Sequence, residues 1–154
     1  IAAQAQRSTL AFLPELCHAI AGGFQKIHRA EGGPWPAERT LAEKQGACRD
    51  LTVLFMECCR AQGLAARFTS GYFGGADGPE RRVGVIENEL HAWAEVYVEG
   101  GGWRGFDPTV GLAVCESHVT IASAHRPEAV SPVIGSFRGD ARSTLVARVK
   151  VQQV

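Results

Sequence analysis

Cys48, His91 and Asp107 are the residue types of a thiol acyl-transfer site, and they occur in that order along the chain. Cys48 sits in the run Gly46-Ala47-Cys48-Arg49-Asp50, which opens an apolar, helix-like stretch. The first turn of a helix carries unpaired N–H groups and the positive end of the dipole, and both favour thiolate over thiol. An ordinary thiol, with a pKa of about 8.5, is only a few per cent ionised at neutral pH. An imidazole within reach would hold it as a thiolate–imidazolium pair. A carboxylate on the far ring nitrogen would fix the tautomer and orientation of that imidazole.

The elements that must position these groups can be read from periodicity. Arg7 to Phe24 reads as a helix, with Leu10, Leu13, Cys17 and Ile20-Ala21 at helical spacing and Gly22-Gly23 ending it; Pro14 would kink it or end a short first turn. The stretch Glu31 to Pro36 pairs Gly with Pro and reads as a loop. Thr40, with Glu43 three residues on, is expected to cap a short helix leading into Gly46. A central helix from Cys48 to Gln62, stopped by Gly63, carries Leu51, Leu54, Phe55, Cys58 and Cys59 on one stripe. Val53 and Met56 make it apolar on most sides, so it is expected to be buried.

Strands follow. Ala66 to Tyr72 is the first, then a Gly- and Asp-rich loop from Gly74 to Arg81, with Arg82 to Ile86 as a short second strand. Leu90 to Val98 alternates: Leu90, Ala92, Ala94, Val96 and Val98 on one face, His91, Trp93, Glu95 and Tyr97 on the other. Glu99-Gly-Gly-Gly102 is a hairpin turn and Trp103 to Asp107 the return strand. If Tyr97 faces Trp103 across a five-residue loop, then Trp93 faces Asp107, and Asp107 is the diagonal neighbour of His91 on the same face, about 7–8 Å between backbones; a tighter three-residue loop would slip Asp107 two positions further away on that same face. Ser131 to Phe137 and Leu145 to Val151 read as a last pair of strands. Helices followed by sheet indicate an α+β fold.

Other residues read more simply. Cys58 and Cys59 are expected to fill the core, and Asp50 to act as a charge partner of the helix N-terminus rather than a catalyst. His18, His28, His118 and His125 are expected on the surface. The five cysteines are odd in number and lack C-x-x-C spacing, which argues against a disulfide framework and a zinc site. A reducing, cytoplasmic setting follows as the expectation. Sixteen basic residues balance sixteen acidic ones, with no basic stripe interleaved with aromatics, so no nucleic-acid partner is indicated. No apolar run approaches the roughly 20 residues needed to span a bilayer, so no membrane partner is indicated either. At 154 residues the chain fits one domain.

Three blocks resemble a known family. They are Gly46-Ala-Cys48-Arg-Asp50 with Cys59 to Arg67 and Ser70-Gly-Tyr72; His91-Ala-Trp-Ala-Glu-Val-Tyr97; and Gly102-Trp-Arg-Gly-Phe-Asp107-Pro-Thr109. Together they resemble the transglutaminase-like superfamily, and within it the bacterial members described as cysteine proteases. The likeness is strong from Thr40 to Thr109 and looser through His118 to Ala122 and Ser131 to Gly135.

The resemblance implies a papain-like, transglutaminase-core fold, in which N-terminal helices and a buried central helix pack on an antiparallel sheet. It implies Cys48 as nucleophile, His91 as general base and acid, and Asp107 as the group orienting the imidazole. A thioester formed from an amide of a peptide or protein would be released to water, as in a peptidase or amidase, or to an amine, as in a transglutaminase. The Cys48 amide is the expected oxyanion donor. Gln45 and Trp35 are candidates for the second donor, and Trp93 for a wall of the cleft. No cofactor, metal or calcium regulation is implied. Bacterial members often carry an additional N-terminal β domain, so residues 1–154 are expected to be a single catalytic core within a longer chain. The alternatives are a protein-glutamine transglutaminase and a binding module that keeps the fold without turnover; an arylamine acetyltransferase-like activity lacks any sign of a coenzyme A site.

Overall fold

The fold is described here from a computed structural model, for residues 9–29, 31–74, 90–131, 135–136 and 138–140. In chain order its elements are α1 (Thr9–Gly23), β1 (Gln25–Lys26), α2 (Ala37–Glu43), β2 (Gln45–Gly46), α3 (Cys48–Ala61), β3 (Ala66–Phe73), β4 (His91–Val98), β5 (Gly102–Asp107), β6 (Leu112–Ala113) and β7 (His118–Ala124), followed by a 3₁₀ turn at Pro127–Val130. This is the α+β arrangement expected from the chain.

Helix α3 is the centre of the core. Leu51, Leu54, Phe55 and Cys59 recur at three- and four-residue spacing and are buried with Met56. Its end is set by Gly63, whose φ of 77° lets Gly63 and Leu64 donate to the carbonyls of Arg60 and Cys59. Helix α1 adds Phe12, Leu13, Leu16, Cys17 and Ile20 to the same core and continues through Pro14. Each fully buried Leu or Phe contributes about 1.5–3 kcal/mol of transfer free energy.

Five strands form an antiparallel sheet in the order β6-β5-β4-β3-β7. Ala66, Phe68, Ala92, Ala94, Val96 and Val98 join the core beneath α3, and Phe106 stacks on Phe55 at 5.8 Å. The short side chains of Ala92 and Ala94 keep the sheet surface shallow where the helix packs on it. The hairpin register is the expected one, with Tyr97 opposite Trp103. Between β3 and β7 the register shifts at Ser70/Gly71. Gly71 is required there, because a Cβ would lie 2.1 Å from the Val119 carbonyl oxygen and 2.5 Å from the Trp93 ring.

Several elements differ from expectation. Helix α2 begins at Ala37, not after Thr40. Arg39 and Thr40 both donate their amides to the Pro36 carbonyl, and Thr40 is buried inside the helix with its hydroxyl also on that carbonyl. A good capping pattern lost to a start that Pro36 pre-sets. The parallel pair β1–β2 and the strand β7 were not foreseen. The proposed strands Arg82 to Ile86 and Leu145 to Val151, and most of Ser131 to Phe137, lie outside the described residues.

Candidate active site

Cys48 is the first residue of α3, half-buried, and its turn is held from below by Asp50. Ala47, the N-cap, has no side chain to satisfy the helix start. Asp50, three residues on, reaches back so that its Oδ2 accepts the Ala47 amide at 2.8 Å. Its Oδ1 accepts the Trp35 amide at 2.8 Å and the Arg29 guanidinium at 2.6 Å, and the carboxylate is fully buried. The sequence reading of Asp50 as a charge partner therefore holds, with Arg29 and the Trp35 backbone as partners that reading did not name. The β1–β2 pair, in which Gln25 faces Gln45 and Lys26 faces Gly46, brings this loop beside the turn of Cys48. Gly46 must be small, since a Cβ would stand 2.9 Å from that of Asp50.

His91 opens β4 and Asp107 closes β5. The five-residue connection fixes their register, and His91 Nε2 lies 2.6 Å from Asp107 Oδ2. The other carboxylate oxygen accepts the Thr109 amide at 2.9 Å. Burial alone would lower the pKa of His91, but its hydrogen bond to Asp107, the charge of that carboxylate and the influence of nearby Cys48 outweigh it and raise the imidazole from an ordinary 6.5 to about 9. Burial would raise Asp107, but hydrogen bonds from His118 and His91, the imidazolium charge and the Thr109 amide hold it well below the carboxylate range. Because Nε2 of His91 is committed to Asp107, Nδ1 is the ring nitrogen left for another partner.

His118 is the correction to the sequence reading. It was expected at the surface, yet its side chain is 1% exposed and its Nε2 lies 3.2 Å from Asp107 Oδ2. Strand β7 brings it there, packed against Phe73 at 4.4 Å and edge-on to Trp93 at 5.1 Å. The only sequence signal for it was its place in the looser part of the family likeness. The donor atoms of His91, Asp107 and His118 lie within 4.8 Å of one another. Both imidazoles point at one carboxylate oxygen, so the trio is a hydrogen-bonded hub.

The remaining candidates are distributed as follows. Gln45 directs its amide to Glu43 at 3.3 Å. The Trp35 ring lies between the guanidiniums of Arg29 and Arg39, at 4.7 and 3.9 Å, while its amide serves Asp50. Trp93 is fully buried behind His118, over Gly71, and its indole N–H has no partner among the described residues. Cys59 is buried as expected and Cys58 half-buried; burial pushes the Cys59 thiol to about 12 and raises that of Cys58. Cys17 is likewise pushed up to about 12, first by burial. All five thiols are free. A shallow cavity of about 600 Å³ lies at the far end of α3, lined by Arg60, Arg67, Trp103 and Arg126 among others. Among the described residues, no helix is long and apolar enough to cross a membrane.

Comparison with known proteins gives the same picture. Residues 7–108 match the family model described as the transglutaminase-like superfamily. An uncharacterized protein of Mycobacterium leprae is 24% identical over 99% of this chain and 49% of its own length. One from Mycobacterium tuberculosis is 30% identical over 69% of this chain and 35% of its own. The chain thus spans half or less of these relatives. Among solved structures, a "Putative Cysteine Protease" from Cytophaga hutchinsonii superposes with a TM-score of 0.66 at 26% identity, over 80% of this chain and 39% of that one. The periplasmic domain of TgpA from Pseudomonas aeruginosa, at 23% identity, shares the fold with a TM-score of 0.53, over 71% of this chain and 41% of that one.

Proposed function

The chain belongs to the transglutaminase-like superfamily, and we propose that it is a cysteine-dependent acyl-transfer enzyme acting on amide bonds of peptides or proteins. The observation that carries this reading is the hydrogen bond of His91 Nε2 to Asp107, with Cys48 at the start of α3 among the groups that raise the pKa of His91. In the proposed cycle the Cys48 proton passes to His91 Nδ1, giving a thiolate–imidazolium pair. The thiolate sulfur attacks the amide carbon, and the oxyanion that forms is met by the Cys48 amide, whose place at the helix start leaves it no partner within the helix. The imidazolium returns its proton to the departing amine as the C–N bond breaks, leaving a thioester. Water, deprotonated by His91, then releases the acid and frees the thiol. Asp107 stays ionised throughout and stabilises the imidazolium.

Hydrolysis is favoured over transfer to an amine, in line with the cysteine-protease description of one structural relative. Residues 1–154 are read as the catalytic core of a longer protein, which the partial coverage of its relatives supports. A cytoplasmic, reducing setting is supported by the five free thiols.

The test is the rate of iodoacetamide alkylation of each thiol against pH. Exposed Cys115 is the reference thiol, and buried Cys59 the slow one. Cys48 is expected to react faster than Cys115 at pH 6–7, and to lose that advantage in His91→Ala. A Cys48 no faster than Cys115 would sink the catalytic reading and favour a binding module. Incubating the enzyme with a glutamine peptide and a labelled primary amine decides the acceptor: incorporation without hydrolysis would make it a transglutaminase.

A further inference from the structure

Resting on that acyl-transfer reading, we propose that His118 is a positioning residue of the same site: it donates its Nε2 proton to Asp107 and divides that carboxylate's charge between two imidazoles. The tautomer follows from what surrounds the ring. The Cys115 amide donates to His118 Nδ1 at 3.4 Å, and the Cys115 thiol faces the same nitrogen at 3.9 Å. A nitrogen that accepts an N–H carries no proton, so the ring proton is on Nε2, 3.2 Å from Asp107 Oδ2. The ring cannot swing away, because Phe73 and Trp93 pack on it and its side chain is 1% exposed.

Asp107 therefore takes three donors: the Thr109 amide on Oδ1, and His91 and His118 together on Oδ2. Burial pushes this carboxyl up, and the hydrogen bonds from His118 and His91 hold it down. A second donor on Oδ2 does two things. It keeps the carboxylate ionised and aimed, and it draws off charge that would otherwise bear on His91 alone. His91 is thereby held as a proton carrier able to give its proton back, rather than as a permanently charged partner of Asp107. Among the described residues, the titratable groups against this pair of imidazoles are Cys48, Asp107 and Cys115.

Long-range ¹H–¹⁵N spectra of the wild-type histidine rings, with the titration of His91, test the proposal without any substrate. The neutral His118 ring is expected as the Nε2–H tautomer. His118→Phe keeps a flat ring against Trp93 and Phe73 but removes the donor; it is expected to raise the His91 midpoint by at least about half a pH unit. His118→Gln, which restores an N–H donor near the Nε2 position, is expected to bring the midpoint back toward wild type. A wild-type Nδ1–H tautomer overturns the proposal, as does an unmoved His91 midpoint in folded His118→Phe. If His118→Phe does not fold, the wild-type tautomer alone decides. Failure of the catalytic reading is seen elsewhere, as a slow Cys48 in the alkylation assay, and leaves the His118 tautomer unaffected.

Discussion

Replacing Asp50 by alanine removes the group on which the start of α3 rests, and its cost can be worked from the contacts. The buried carboxylate binds Arg29 at 2.6 Å and the amides of Trp35 and Ala47 at 2.8 Å each. Truncating one partner of a buried ion pair costs about 3–5 kcal/mol, mostly because the other charge is orphaned. Arg29 is 21% exposed and also reaches the Gly33 and Glu31 carbonyls at 3.0 and 3.3 Å, which softens that loss. The expected cost of Asp50→Ala is therefore at the lower end, about 3 kcal/mol. For a domain of this size that lowers the melting temperature by about 6–12 °C. Arg29→Met leaves the carboxylate buried with only two amides and is expected to cost about as much. The double variant leaves neither charge orphaned, so it should cost at least about 1.5 kcal/mol less than the sum of the singles. Urea denaturation of the four proteins measures this coupling. Additivity to within about 0.5 kcal/mol would refute the account of the site's foundation.

Two further outcomes are expected. Stability should depend on pH through both members of the His91–Asp107 pair. The depressed carboxyl stabilises the fold above its ordinary 3.8, and this is lost as pH falls below that value; the raised imidazole stabilises it below its ordinary 6.5, and this is lost as pH rises through about 9. Thermal melts should thus show a plateau between about pH 4 and 6.5 and a decline above it, a decline that is smaller and ends at lower pH in Cys48→Ala because one of the influences raising His91 is gone. Separately, Gly71→Ala drives a methyl group into the Val119 carbonyl and the Trp93 ring; a loss of about 3 kcal/mol is expected by denaturation, and a loss under about 0.5 would show that β7 can move aside.

The hairpin was legible because its geometry is local. Five residues separate Tyr97 from Trp103, and with that register set, the side-chain alternation places His91 and Asp107 on one face. The helix behind Cys48 was legible because its apolar stripe and its Gly63 stop are also local. His118 was not, because nothing within β7 says which strand it joins. Only its pairing with β3, across a shifted register and the width of Gly71, brings the ring to Asp107. The contact that Trp35 makes was hidden for a related reason. Sequence draws attention to its indole, whereas its link to the helix of Cys48 is its backbone amide, which every residue but proline possesses. Thr40 shows the opposite failure: a correct local motif was overruled one turn earlier by Pro36.

The buried carboxylate of Asp50 also bears on where this molecule is slow to trade its amide protons with solvent. The amides of Trp35 and Ala47 belong to no helix or sheet ladder, yet both end on a group that water does not reach. Releasing either proton requires the start of α3 to open, so both report the opening free energy of the turn that carries Cys48 rather than of a loop. The cooperative unit around Cys48 is drawn by that carboxylate and not by the ribbon: it takes in Arg29, Trp35 and Ala47, and a chain segment that looks like a connection behaves as part of the scaffold.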